Sequence, residues 1–339
     1  MARETRTVNL ALQGGGSHGA FTWGVLERLL EDGRLEIEAI SGTSAGAMNA
    51  VVLANGMRAG GRKGAIAALE AFWRRVATIG RFAPFPRTPF DLITGNWNLD
   101  GSPAMLAFDI MSRVLSPYQF NPFDWHPLRT VLAEQVDFAA LRERCEPKVF
   151  VTATSVLSGK IRVFRPDELS VEACLASACL PFLFQAVRIG DDAFWDGGYS
   201  GNPALYPLIY NARCRDILLV HINPIRRKEV PTTAAAIAER LNEITFNAGL
   251  MREMRAIEFV TRLLEEERIN EGRYKRLNIH MVDGTEDLRL LGTSSKLYAD
   301  WDFLTHLREL GRQNADRWLD QHLGSVGRES SIDVREMFL

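Results

Sequence analysis

Two glycine-rich turns near the start of the chain each join a strand-like apolar run to a helix-forming run. The first turn, residues 13–19, follows the apolar run 8–12 and opens the amphipathic stretch 20–30. The second turn, residues 42–46, follows the apolar run 37–41. This order of strand, loop, helix, strand, turn and helix is that of a right-handed βαβ unit, which places both turns at the same carboxyl edge of a parallel sheet.

Ser44 lies at the centre of the second turn, in a G-x-S-x-G pattern. Gly42 and Gly46 give the room that a strained strand-to-helix turn needs. They leave the Ser44 hydroxyl exposed at a helix N-terminus, where developing negative charge is favoured. The pattern predicts a catalytic nucleophile, and a glycine-rich turn without a catalytic role is the alternative.

The first turn supplies a candidate oxyanion hole. It contains three consecutive glycines, Gly14, Gly15 and Gly16. Their unshielded amides can donate hydrogen bonds to an oxyanion held near Ser44. The βαβ order therefore predicts that a nucleophile and an anion hole are neighbours.

The same loop also fits a dinucleotide pattern, because Gly14, Gly16 and Gly19 satisfy G-x-G-x-x-G after a first strand. That function expects an acidic residue at the carboxyl end of the second strand. Here Glu36 and Glu38 lie at the start of that strand instead. Acyl chemistry is favoured, and a non-catalytic protein that binds a nucleotide or a lipid head group is the alternative from a different class.

An activated serine needs a base, and Asp196 is the candidate. It follows the strand-like residues 194–195 and precedes Gly197 and Gly198, whose turn can bring the carboxylate to a crowded site. An Asp-Gly hairpin turn is the structural alternative. To accept a proton from Ser44, this carboxylate must lie close to it and be partly desolvated, since desolvation raises the pKa of a carboxyl group.

A Ser-His-Asp triad on an α/β-hydrolase fold is the competing mechanism, with the chain order Ser, Asp, His. His221 ends the apolar run 216–221 and fits that order. Against the triad, the glycine loop lies only one helix before Ser44. The remaining histidines after Ser44 occupy positions typical of structural roles: His126, His280, His306 and His322.

In this order, residues 14–19, 42–46 and 196–198 resemble the three signatures of patatin-like phospholipases, G-G-G-x-R/K-G, G-x-S-x-G and D-G-G/A. The resemblance covers most of the chain to about residue 323 and extends through residues 176–182, 199–203 and 300–304. It implies a Ser-Asp dyad with Ser44 as nucleophile and Asp196 as base, without a metal or organic cofactor. It also implies a phospholipid or lysophospholipid substrate, although the dyad would equally serve a glyceride, a thioester or an intracellular polyester.

One position departs from this resemblance. Where the family's first loop carries Arg or Lys, this chain has His18. Either the backbone amides suffice for the oxyanion, or His18 contributes when it is protonated, near its ordinary pKa of about 6.5. The sequence favours a solvent-facing histidine at a helix start.

Composition fits an enzyme with a large core. The 339 residues are 46% hydrophobic, and the net charge of −2 argues against a nucleic acid partner. No apolar run reaches the length of a bilayer span, and the polar residues 1–7 do not form a secretory signal, so we expect a cytoplasmic protein compatible with peripheral membrane contact. The oligomeric state is open. The cysteines lack metal-ligand spacing, and Cys174 and Cys179 are expected as buried, reduced thiols.

The alternation of strands and helices continues and predicts a three-layer α/β/α sandwich with a mainly parallel central sheet. We expect one acyl hydrolase domain over residues 8–323 and a mobile polar tail over residues 324–339. Further helices are expected at residues 44–55, 61–77, 105–115 and 128–133, and strands at 148–155, 161–165, 217–222 and 277–282.

Two long stretches have less certain roles. Residues 79–125 hold nine aromatic side chains among several prolines, a pattern of packed side chains by default and of a substrate lid as the alternative. Residues 234–267 form an apparent helix, for which core packing is the default and an acyl groove the alternative. Its apolar side chains at near-helical spacing are Leu241, Ile244, Met251, Met254, Ile257, Val260 and Leu264.

Overall fold

The computed structural model describes residues 5–80, 97–99, 102, 107, 110–112, 114–270, 273–289 and 291–339. An eight-stranded sheet lies at the centre of this part of the chain. Its strands are β1 Arg6–Leu12, β2 Leu35–Thr43, β3 Lys148–Ser155, β4 Ile161–Phe164, β5 Val187–Ile189, β6 Asp192–Asp196, β7 Asp216–His221 and β8 Asn278–Asp283.

The strand order is β5-β6-β3-β2-β1-β7-β8, and β4 pairs with β3. The run from β3 through β2, β1 and β7 to β8 is parallel, whereas β4, β5 and β6 join by antiparallel pairs. The predicted mainly parallel sheet is confirmed, with an antiparallel edge. The carboxyl ends of β2, β1 and β7 therefore lie side by side.

Helices cover both faces of the sheet. They are α1 Gly19–Asp32, α2 Ala45–Gly80, α3 Pro117–Phe120, α4 Pro127–Gln135, α5 Phe138–Glu143, α6 Val171–Ser177, α7 Tyr206–Asn211, α8 Ala234–Glu265, α9 Thr285–Leu288, α10 Trp301–His322 and α11 Val334–Phe338. The non-helical dihedral angles of Gly60 and Gly61 divide α2 into the two helices that the sequence predicts.

Alternation along the strands produces two cores. Leu10 and Leu12 of β1 pack with the residues of α1, α2 and α10, while Ala11 between them packs on the opposite face with α7, α8 and α11. Successive side chains of a strand point to opposite faces, so each strand serves both layers. The predicted α/β/α arrangement is confirmed.

The expectation of a mobile polar tail is wrong. Residues 324–339 pack on the domain: the Gly327 amide donates to Asp216 Oδ1 at 2.7 Å, and Phe338 is 1% exposed in the core against α8. Apolar residues anchor this segment to the two cores from between polar neighbours: Val326, Ile332, Val334, Met337 and Phe338. The domain bounds themselves stay a prediction.

Helix α8 only partly follows the core-packing expectation. Met254 and Ile257 are buried, whereas Leu241 and Ile244 are 60% and 50% exposed. Periodicity gives the face on which apolar residues lie, but not how far along the helix that face is covered.

The aromatic side chains of residues 79–125 also differ in burial. Trp97 stacks on Phe303 with ring centroids 5.1 Å apart, whereas Phe123 and Trp125 are 94% and 65% exposed. Four further aromatic positions that favoured a lid, Phe82, Phe85, Phe90 and Phe108, lie outside the described residues, as do five of the eleven residues of the helix expected at residues 105–115.

Replacement of Phe338 by Ala should destabilise the protein. Truncating a buried Phe costs about 3–5 kcal/mol through lost burial and the cavity that remains. The matched control is Leu339→Ala, because Leu339 is 51% exposed and its truncation should change the free energy of unfolding by less than about 0.5 kcal/mol. Chemical denaturation measures both, and equal effects would contradict the packed tail.

Candidate active site

Ser44 occupies the turn from β2 into α2 in a strained conformation. Its φ is 54°, in the left-handed region that non-glycine residues seldom adopt. The turn packs so closely on β1 that a Cβ on Gly46 would lie 2.2 Å from the Leu12 carbonyl oxygen. The Ser44 amide donates to Ser177 Oγ at 2.8 Å, which fixes the turn against the end of α6. Strain of this kind at a serine is typical of a nucleophile elbow.

Asp196 ends β6 beside this turn, with a fully buried side chain. Its Oδ1 accepts a hydrogen bond from the Gly198 amide at 2.7 Å. Burial raises the pKa of Asp196 to about 7, and the Gly198 amide, the nearby Ser44 hydroxyl and the charge of Lys296 oppose this rise. Oδ2 is buried with no well-aligned hydrogen-bond partner in the described part of the chain, so this oxygen is available for a proton.

The glycine loop lies directly against Ser44. A Cβ on Gly14 would lie 2.6 Å from Ser44 Cβ, a contact that only glycine allows. The Gly14 amide is already used, however, because it donates to Asn202 Oδ1 at 2.6 Å. Neither the Gly15 nor the Gly16 amide donates a hydrogen bond within the described residues. Of the three amides expected as oxyanion donors, those of Gly15 and Gly16 therefore stay as candidates.

A buried amide network holds the loop, and sequence reasoning did not identify it. Gln13 Oε1 accepts from the Ile222 and Asn223 amides at 2.9 and 3.0 Å. Asn223 Nδ2 donates to the Gly14 carbonyl at 2.7 Å, opposite the bond from the Gly14 amide to Asn202. The position of Asn223 just beyond β7, at the carboxyl edge of the sheet, is the signal that could have found it.

His18 is not solvent-facing, so that expectation is wrong. Its side chain is 2% exposed, and Nε2 lies 2.8 Å from Ser295 Oγ. Because the Ser295 hydroxyl donates to the Gly292 carbonyl at 2.7 Å, the ring donates from Nε2 to Ser295. Burial, and then the charge of Lys296, lower the pKa of His18 to about 3. The ring is therefore neutral at ordinary pH and supplies no cation.

No histidine in the described part of the chain hydrogen-bonds to Ser44 or Asp196. His221 Nδ1 instead lies 3.2 Å from Asp283 Oδ1, on the neighbouring strand β8. The carboxylate of Glu38 accepts the Arg213 and Cys214 amides, so it does not reach the glycine loop as a ribose ligand would. These contacts favour the dyad over both the triad and the dinucleotide site.

A family model of patatin-like phospholipases matches residues 10–209, more than half of the chain. The chain belongs to this family. The match includes the glycine loop, the Ser44 turn and the Asp196 segment, as the sequence signatures predict. A comparison with curated proteins gave no match.

Solved structures of similar proteins include VipD from Legionella pneumophila, with a TM-score of 0.42 and 17% identity over 93% of this chain and 67% of VipD. The ExoU–SpcU complex from Pseudomonas aeruginosa has a TM-score of 0.36 and 16% identity over 95% of this chain and 52% of the matched chain. The patatin-like chain thus spans about two thirds of VipD and about half of the second protein.

Of the helices that the structure describes, none combines the length and the apolar character required to cross a membrane. Within the same ranges, His, Cys, Asp and Glu side chains do not form a group of three that could hold a metal ion. Cys174 and Cys179 are buried free thiols, as expected.

Replacing Asp196 by Asn should change how stability depends on pH. The folded protein keeps the Asp196 proton up to about pH 7, whereas the unfolded chain releases it near pH 3.9. Wild-type stability therefore falls as the pH rises from about 4 to about 7, and Asp196→Asn lacks this fall. Its Tm relative to wild type should rise by about 5 °C between pH 4.5 and pH 8 in thermal unfolding.

The control for this measurement is Ser44→Ala, which keeps the carboxyl group and should follow the wild-type trend. A difference in Tm between Asp196→Asn and wild type that stays constant with pH would contradict the raised pKa.

Proposed function

We propose that this protein is a serine acyl hydrolase that cleaves fatty-acyl esters of lipids, with Ser44 as nucleophile and Asp196 as general base. The observation that carries the proposal is the strained Ser44 turn, φ 54°, beside a buried carboxyl group whose pKa is about 7. A base with a pKa near the working pH is the most effective, since it is ionised yet still basic. Membership of the patatin-like phospholipase family supports the lipid substrate.

In the proposed mechanism, Ser44 Oγ attacks the ester carbonyl carbon while Asp196 takes the hydroxyl proton. The carbonyl oxygen becomes an oxyanion, to which the Gly15 and Gly16 amides donate. The tetrahedral intermediate then expels the alcohol, which receives its proton from Asp196, and leaves an acyl group on Ser44. Asp196 next takes a proton from water, whose oxygen attacks the acyl group, and the proton passes to Ser44 as the fatty acid leaves.

Exposed apolar side chains near the nucleophile support a lipid substrate. Phe123 and Phe182 are 94% and 66% exposed, and their segments are joined by Gln185 Nε2, which donates to the Asn121 carbonyl at 2.8 Å. The second of these segments follows α6, whose last residue binds the Ser44 amide. An exposed apolar surface of this kind suits acyl chains and peripheral contact with a lipid surface.

Phospholipids or lysophospholipids are the proposed substrates within this class. Neutral glycerides, thioesters and polyesters would use the same chemistry. Incubation with a mixed membrane extract, followed by identification of the released lipids, distinguishes these substrates through the head group of the product.

A fluorophosphonate probe should label the wild-type protein covalently and should not label Ser44→Ala. The probe phosphonylates an activated serine, so the label reports nucleophilicity without requiring the natural substrate. Intact-protein mass spectrometry gives the stoichiometry. Ser158→Ala is the control, because Ser158 is exposed in the turn between β3 and β4 and its side-chain hydrogen bonds are to Ser155 and Lys160. Its loss should leave labelling unchanged. A folded wild-type protein that takes no label would favour a non-catalytic binding protein.

The rate should depend on pH through Asp196. Only the ionised carboxylate accepts the Ser44 proton, so kcat/KM should rise with pH through an apparent pKa near 7 and level off above it. Asp196→Asn should lower kcat at least about 10²-fold.

His221→Ala should keep both the rate and the pH profile. Loss of activity in His221→Ala, with folding intact by circular dichroism, would instead support the triad.

A further inference from the structure

Lys296 places a cation next to the glycine loop and the buried carboxyl group. It lies in the short 3-10 helix Thr293–Leu297, immediately before α10. Its backbone contacts the loop, since a Cβ on Gly16 would lie 2.3 Å from the Lys296 carbonyl oxygen. Its ammonium group donates to Asn223 Oδ1 at 2.9 Å. The same residue therefore touches the loop directly and reaches it a second time through Asn223.

Asn223 transmits this contact to the peptide that carries the oxyanion donor. Its Nδ2 donates to the Gly14 carbonyl at 2.7 Å. A trans peptide is planar, and its C=O and N–H point in opposite directions. A bond that holds the Gly14 carbonyl toward Asn223 thus points the Gly15 N–H away from Asn223. The ammonium of Lys296, by binding Asn223 Oδ1, fixes which end of that amide faces Gly14.

Lys296 has both acidic and basic side chains around it, and their effects on its ammonium group oppose one another. Burial, and then the charge of Arg227, lower the pKa of Lys296 below its ordinary value, and Glu243, Glu239 and Asp196 oppose this shift. The acidic pair is in turn bound by arginine: Arg227 contacts both glutamates, and Arg240 Nη1 lies 3.1 Å from Glu243 Oε2. Because these glutamates already have cationic partners, they neutralise only part of the field that the protonated Lys296 ammonium exerts on the site.

We propose that Lys296 is a positioning residue for the reaction: it holds the Gly14–Gly15 peptide through Asn223, and its charge favours the anions that form on Asp196 and in the oxyanion hole. It takes the place of the cation that this chain lacks at His18. The neutral His18 ring donates to Ser295, the residue directly before Lys296. This hydrogen bond links position 18 of the glycine loop to the segment that carries Lys296.

Lys296→Met tests the charge, because it removes the ammonium and keeps an unbranched side chain. On a soluble fatty-acyl ester, kcat should fall about tenfold, less than the 10²–10³-fold loss caused by removing a direct oxyanion donor. The rising limb of kcat/KM should move to higher pH, since Asp196 loses a neighbouring cation. Lys296→Arg retains the charge and should keep the limb near the wild-type position.

Lys275→Met is the matched control. Lys275 is also partly buried and donates to the carbonyls of Ile209, Ala212 and Cys214 between the secondary-structure elements at the amino end of β7. Its loss should lower stability without moving the pH profile. An unmoved limb in Lys296→Met, with a rate loss no larger than that of Lys275→Met, would overturn the assignment.

The relay through Asn223 is tested at high pH, where Asp196 is ionised in every variant. If Lys296 acts on the loop through Asn223, the kcat loss in Lys296→Met/Asn223→Ala should be no greater than about that of the larger single variant. If the kcat losses of the two single variants instead multiply in the double variant, the two side chains act independently, and this result would overturn the relay.

The assignment rests on the proposed acyl hydrolase function, and a measurement without turnover separates the two. The stability difference between the wild type and Asp196→Asn stops growing at the pKa of Asp196 in the folded protein, so the pH of this plateau reports that pKa. In the Lys296→Met background this pH should rise whether or not any ester is hydrolysed. An inactive wild-type protein that shows the rise would count against the function and for the charge placement, whereas an unchanged pH would overturn the assignment itself.

Discussion

The parallel pairing of β1 with β2 is the constraint on which the rest of the site depends. Leu12 pairs with Gly42, so the glycine loop and the Ser44 turn leave the sheet next to each other. Gly14 can then approach Ser44 Cβ more closely than any other residue could. A slip of this register by one residue would exchange the two faces of the strand and separate the loop from the turn.

Two further pairings bring the remaining groups to the same edge. Antiparallel pairing of β3 with β6 sets Ala153 opposite Asp196, and parallel pairing of β1 with β7 sets Leu12 opposite Val220, just before Asn223. The positions of the proposed base, Asp196, and of Asn223, which binds the glycine loop, therefore depend on sheet register, which is rigid. A left-handed Ser44 costs about 1–3 kcal/mol. The desolvated carboxyl group adds a further cost, which grows from about pH 4 to about pH 7 and is constant above that. A strained serine and a buried carboxyl group at the carboxyl edge of the sheet both lower stability, and such costs are typical of a stability–activity trade-off.

Local patterns were sufficient for most of the fold and for naming Ser44 and Asp196 as candidates, whose catalytic roles stay a prediction. Apolar runs punctuated by glycine predict the βαβ order, and each of these two residues lies at a glycine turn after a strand. The burial of His18 could not be predicted, because its partners Ser295 and Phe303 come from a distant part of the chain. The hydrogen bond of the Gly14 amide could not be predicted for the same reason, because its acceptor, Asn202 Oδ1, lies 188 residues further along the chain. Sequence patterns predict where a backbone turns; tertiary packing decides which polar groups remain free.

Burial also explains why the placement of one ammonium group matters here. Ser44 is 8% exposed and Asp196 is not exposed, so their charges act through protein rather than through water. Coulomb interactions are several times stronger there than at a solvated surface. Under these conditions a cation can act on Ser44 and Asp196 without belonging to the glycine motif, provided that its charged group lies close to them. Lys296 reaches it from the segment before α10, so the electrostatics of the site are determined by neighbours in space and not by the motif alone.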